Sequence, residues 1–225
     1  MHKFVRVAPV HGLRLVIASL VCLLPTAVHA SDAELVTRDL FVSLDSQPTG
    51  FDYTISGPLG SRSGSDAFES GLGLSLGGRW SFTVPGSSFG LVAGIDFDAT
   101  DYVYQNSAKN FTFGGRAVLG LGWQITDDWQ VLLEPTIEYG LAKFTFPATG
   151  AYPAYDATGT YLGYGARISA IYSLSRSFSC LASLGYKQID NSLSGGDLDL
   201  TLKQSGVALG IGLLYRFSSA PARIE

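Results

Sequence analysis

The chain has 225 residues, with 15 Lys+Arg against 19 Asp+Glu, three His and two Cys. Every histidine (His2, His11, His29) lies within the first 30 residues, so a Ser–His hydrolase and a His-bound metal are excluded for the rest of the chain. Beyond residue 30 a single cysteine, Cys180, precludes an internal disulfide, and twelve basic residues against nineteen acidic ones argue against nucleic acid as a partner.

Residues 1–30 read as a cleavable signal peptide. Lys3, Arg6 and Arg14 form a basic leader without an acidic residue, Leu15 to Leu24 is an apolar run, and Val28-His29-Ala30 is a small-x-small cleavage site. The run is about half of the roughly 20 residues a spanning helix needs. Ser19-Leu20-Val21 before Cys22 is a poor lipidation context. The fold is expected over 31–217, followed by a disordered polar tail at 218–225.

From there the chain alternates with period two. Strands are expected over about 36–44, 67–83, 89–105, 111–125, 129–146, 160–174, 178–188 and 198–217. Short turns rich in Pro, Gly, Asp and Ser close alternate hairpins at 85–88, 126–128 and 175–177. Long connections separate the others, at 45–66, 106–110, 147–159 and 189–197. The segment 51–57 also reads as a strand. It fits as an extension or small hairpin in the first long loop, or as a replacement for 36–44.

One face of each strand is apolar. Leu72, Leu74, Leu76, Trp80 and Phe82 share it in one strand; Val207, Leu209, Ile211, Leu213, Tyr215 and Phe217 share it in the last. The opposite parity carries Asp39, Glu69, Arg79, Asp96, Asp98, Arg116, Glu134, Glu138, Arg167, Lys187 and Arg216, interspersed with many glycines. A soluble sandwich has no reason to turn charges toward its inside. The pattern, behind an export signal, implies an all-β, eight-stranded, antiparallel up-and-down transmembrane β-barrel, with lipid outside and a polar lumen. Six acids and five bases in such a lumen should pair, since an unpaired buried ion is costly, and the glycines leave room for long arginines. Asp96/Asp98 and Glu134/Glu138 then serve as counter-ions rather than catalytic pairs, and no metal or cofactor is expected. Asp190, Asp197 and Asp199 read as solvated loop charge.

Aromatics fall in two tiers. Trp80, Phe82, Phe89, Trp123, Trp129, Tyr172, Phe178, Tyr215 and Phe217 lie beside the short turns, and Phe111, Phe113 and Tyr186 lie toward the loops, as in the two girdles of an outer-membrane barrel. The last strand, Gly210-Ile-Gly212-Leu-Leu-Tyr215-Arg-Phe217, looks like a C-terminal assembly signal, with Gly212, Tyr215 and Phe217 as its marks. On these residues 31–217 resembles small outer-membrane barrels of the OmpA transmembrane-domain, OmpX and OmpW type. In that kind the Phe usually ends the chain, whereas eight residues follow here. The lipid-modifying members rely on His, so the resemblance implies a non-enzymatic protein of the Gram-negative outer membrane, with both termini periplasmic. It implies contact with outer-membrane lipid and lipopolysaccharide, and recognition by the barrel-insertion machinery. The expected role is structural or surface-interactive, through loops at 45–66, 147–159 and 189–197 that carry Phe51, Tyr53, Tyr152 and Tyr155. The alternative is a narrow channel for small or apolar solutes, which needs a gap in the lumen or an apolar upper chamber.

Overall fold

The structure is a computed structural model that describes residues 34–83, 86–104, 108–148 and 154–217. The expected signal peptide at 1–30 and tail at 218–225 lie outside the described residues, as do Tyr152 and Pro153. Ten antiparallel strands follow one another and no helix occurs among the described residues: β1 (Glu34–Ser46), β2 (Gly50–Gly57), β3 (Gly60–Ala67), β4 (Ser70–Thr83), β5 (Phe89–Val103), β6 (Lys109–Gln124), β7 (Trp129–Phe146), β8 (Tyr155–Ser173), β9 (Phe178–Gly195) and β10 (Leu198–Phe217).

The expectation of eight strands is corrected to ten, and the reason lies in how the ladder closes. β1 pairs with β4 on one side and with β10 on the other, so eight strands form a ring. The lower part of β10, Leu209 to Phe217, pairs with β1, and its upper part, Asp199 to Gln204, pairs with β2. β2 therefore stands above β1, and β3 above β4, as two interrupted staves. The breaks at 47–49 and 68–69 are bridged by Gln47 N–H to the Gly71 carbonyl and Phe68 N–H to the Thr49 carbonyl. The choice between 36–44 and 51–57 as the first strand thus dissolves, because both belong to one stave.

Following the ladder from Leu214 through Phe41, Gly77, Asp96, Arg116, Glu138, Gly163 and Ile189 returns to β10 at Gln204, ten residues from the start. A stagger of ten over eight strands corresponds to a tilt of about 40°.

Two long connections also need correction. β9 and β10 run to Gly195 and from Leu198, so most of 189–197 is strand, turning at Gly196 with φ +58°. β8 begins at Tyr155, inside the connection expected at 147–159. In these upper reaches the facing is inverted. Ile189, Leu193, Leu200 and Leu202 point in and are buried, while Asp190, Ser192, Asp199 and Lys203 point out. Lower down, Leu184, Tyr186, Val207, Leu209, Ile211 and Leu213 point out and are more than half exposed. The polar outward residues near the top mimic a loop in the sequence, although the alternation never stops.

Candidate functional site

The interior of the ring is layered. At the short-turn end Phe41, Val92, Leu132, Ile171, Leu181 and Leu214 form an apolar floor, each at most 4% exposed. Above it lies a belt of ions. Register explains why they meet: Asp96 is the cross-strand neighbour of Arg116, Arg116 of Glu138, and Glu134 of Arg167. Glycine stands opposite the long side chains, Gly94 beside Arg79, Gly163 beside Glu138, Gly185 beside Arg167 and Gly165 beside Lys187. Cross-strand side chains in a ladder stand about 5 Å apart. The missing Cβ atoms therefore let each side chain cross the interior sideways.

The ions form a chain of alternating sign. Arg79 Nε is 3.1 Å from Glu134 Oε1, Arg167 Nε is 2.8 Å from Glu134 Oε2, and Arg167 Nη2 is 3.6 Å from Asp96 Oδ2. Arg116 Nε donates to Asp96 at 2.8 Å and Nη1 to Glu138 at 3.4 Å, and Lys187 Nζ lies 2.8 Å from Glu138. Lys187 also donates to Gln47 at 3.2 Å. The Arg79 guanidinium carbon sits 4.2 Å over the Phe41 ring, which ties the belt to the floor. Ser169 donates to Glu134 at 2.7 Å, and Thr100 to Asp98 at 3.0 Å. Nearer the short-turn end, Arg216 donates to Asp39 at 3.1 Å. Beside the belt, lined by Asp45, Arg116, Glu138, Arg167 and Lys187, lies a void of about 30 Å³, room for a water or two.

Glu69 is the exception among the eleven charges expected inside. It is exposed, because it falls in the bend between β3 and β4 where strand parity lapses, and Phe68 turns inward instead. The carboxylate that sequence reasoning missed is Asp45, buried and within 2.8 Å of Ser75. It lies one residue past the expected end of the first strand, and one more step of the same alternation reaches it. Asp39, Asp45, Asp96, Asp98, Glu134 and Glu138 thus face Arg79, Arg116, Arg167, Lys187 and the half-buried Arg216. Among the described residues no group of His, Cys, Asp or Glu is arranged to hold a metal ion.

The nine aromatics beside the short turns are all on the outer face, and several pair there. Phe89 stacks on Trp123 with centroids 5.6 Å apart, Trp129 meets Tyr172 at 4.9 Å, and Tyr215 meets Phe178 and Phe217 at 5.2 and 5.0 Å. Trp80 is exposed and Phe82 half-buried. Gly212 sits in the β1–β10 seam, where a Cβ would lie 2.5 Å from the Val42 carbonyl oxygen.

Above the belt the interior turns apolar again. Phe51, Phe68, Tyr102, Tyr161, Leu193 and Leu200 pack into a second cluster. It leads into a chamber of about 560 Å³ walled by β2, β3, β10 and the tops of β7 and β8. Tyr104, just past β5, donates its hydroxyl to Asp66 of β3. That bond pushes the Tyr104 hydroxyl up to about 12. The same bond, with the Ala67 N–H, holds the Asp66 carboxyl below its ordinary value.

A family model described as MltA-interacting protein MipA matches residues 24–217. The chain belongs to the MipA family. The match speaks for that family and is silent on the OmpA, OmpX and OmpW type. No curated protein matches the sequence. Among solved structures, the Neisserial surface protein A is similar at 13% identity, with 79% of this chain and 97% of that one covered and a TM-score of 0.41. Ail, the attachment invasion locus protein of Yersinia pestis, is similar at 14%, with 82% and 100% covered and a TM-score of 0.42. The outer membrane protease OmpT from Escherichia coli is similar at 10%, with 86% and 99% covered and a TM-score of 0.45.

Proposed function

We propose that this MipA-family chain is a non-enzymatic integral outer-membrane protein whose eight-strand ring spans the bilayer as a barrel, with a charge-plugged lumen and both termini in the periplasm. One observation carries the reading: the inverted facing of the ring. Leu, Ile, Phe and Trp crowd the outer surface, whereas four of the five interior cations and all six carboxylates are buried inside. In water this arrangement exposes the wrong surface; in a bilayer it satisfies both. The signal peptide at 1–30 supplies export, and the paired aromatics beside the short turns sit at the periplasmic interface. Gly212, Tyr215 and Phe217 in the closing strand serve as the assembly signal that the barrel-insertion machinery reads. The outer surface contacts outer-membrane lipid and lipopolysaccharide.

The role is one of contact rather than passage. The ionic belt above an apolar floor supports a closed lumen, and the family's name speaks of interaction with MltA. We extend to this chain a protein partner of that kind. The upper chamber favours, as a second reading, the holding of a small apolar solute. The test is refolding of the mature protein from urea into lipid vesicles. Folding should give a band whose electrophoretic mobility changes on boiling, and planar bilayers should show no stable unitary current. Solubility without detergent sinks the barrel; a stable current sinks the plug.

A further inference from the structure

The upper chamber is built from two surfaces of different chemistry. Its walls are apolar and aromatic, among them Phe51, Tyr53, Phe144, Tyr155, Leu198 and Leu200. Two charged residues join them, both from β3: Arg62 and Asp66. Asp66 is already engaged, accepting from the Tyr104 hydroxyl and from the Ala67 N–H. Arg62 is not. It stands across the ladder from Ile55, exposed, with no carboxylate within 4 Å of its guanidinium among the described residues. Gly64 between them leaves the space that the Tyr53 ring occupies; a Cβ there would lie 2.6 Å from the Tyr53 hydroxyl. The volume, about 560 Å³, is that of a small-molecule site.

We propose that this chamber binds a single-chain anionic amphiphile, its acid group on Arg62 and its hydrocarbon against the wall formed by β2, β10 and the tops of β7 and β8. The choice of sign follows from the partners. Asp66 sits four residues from Arg62 on the same strand face, about 13 Å away. Both its oxygens already accept hydrogen bonds, so it offers a cation little, whereas the Arg62 fork is open to a planar carboxylate. The closed belt and floor below make the chamber a blind pocket, so the ligand is held rather than passed. This deepens the second reading above and depends on the barrel only for its place at the outer rim.

The experiment is equilibrium dialysis of carbon-14-labelled dodecanoate against the full mature chain refolded in lipid nanodiscs, with empty nanodiscs as background. The expected result is saturable binding of one dodecanoate per chain. Arg62→Gln, at an exposed position, should weaken it about tenfold, as loss of a charge-assisted contact implies. Leu198→Glu, which places a like charge in the wall, should abolish it, and Lys143→Gln, outside the chamber, should leave it unchanged. Binding no greater than that of empty nanodiscs overturns the proposal, as does an unaltered affinity in Arg62→Gln. Displacement by dodecyltrimethylammonium at lower concentration than by unlabelled dodecanoate overturns the choice of sign. Failure of the barrel reading is distinct: the chain would not refold, and no mobility shift would be seen.

Discussion

Replacing Arg116 by Met removes a charge while keeping most of the side-chain length. Arg116 holds Asp96 at 2.8 Å and Glu138 at 3.4 Å, and its Nη2 donates to Ser75 at 3.1 Å. Breaking a buried ion pair by removing one partner costs about 3–5 kcal/mol. Here neither carboxylate is left wholly alone: Asp96 keeps Arg167 at 3.6 Å and Glu138 keeps Lys187 at 2.8 Å. The low end, about 3 kcal/mol, is therefore the expected loss. With a urea slope of about 2 kcal/mol/M, the midpoint should fall by about 1.5 M. The assay is equilibrium urea unfolding in lipid vesicles, followed by the fluorescence of Trp80, Trp123 and Trp129. The control is Lys143→Ala, whose contact with Asp156 is exposed and 3.9 Å long and should be worth less than about 0.5 kcal/mol. A midpoint for Arg116→Met within the error of that control would refute the view that the belt holds the barrel together.

Ile211→Glu, on the outer face within the apolar band, should prevent insertion into vesicles, whereas Ser192→Glu, on the outer face above it, should insert normally; equal insertion would remove the inverted facing from the account. Gly212→Ala places a methyl 2.5 Å from the Val42 carbonyl oxygen in the closing seam, so refolding yield should drop severalfold while Gly50→Ala, with open space around it, refolds like the parent. The Tyr104–Asp66 bond sets a pH window. The Tyr104 hydroxyl is raised from 10 to about 12, so its contribution is whole below pH 10 and is lost as pH climbs through about 12. The Asp66 carboxyl is lowered from 3.8, so its contribution is whole above that value and is lost in stronger acid. Ultraviolet titration at high pH, compared with Tyr104→Phe, should reveal one late-titrating tyrosine assignable to this position. The protection factors of the β3 amides, corrected for the base-catalysed intrinsic exchange rate, should be constant across neutral pH.

Much of the ring was legible because facing is local. Period-two alternation puts neighbours on opposite sides whatever lies across the sheet, so Arg79, Arg116, Glu134 and Glu138 could be assigned inward from their own strands. The glycines of opposite parity were visible as well, though not which side chain each accommodates. Asp45 and Glu69 show where such reasoning fails. Parity carries only as far as a strand does, and strand ends are set by hydrogen bonds to other strands.

The upper chamber escaped for a related reason. Above the apolar band the outer surface returns to water, so the inside becomes the apolar side. Asp190, Ser192 and Asp199 therefore resemble a polar loop, while Ile189, Leu193, Leu200 and Leu202 build a wall. The amino-acid sequence by itself determined the all-β class, the two-faced strands and which charges they turn inward, because each depends on residues one or two apart. The tertiary structure alone decided that ten strands make eight staves, that Arg116 lies between Asp96 and Glu138, and that Phe51 and Leu200 share a chamber. Those are matters of register and ring closure between segments far apart in the chain, and no local pattern encodes a stagger of ten.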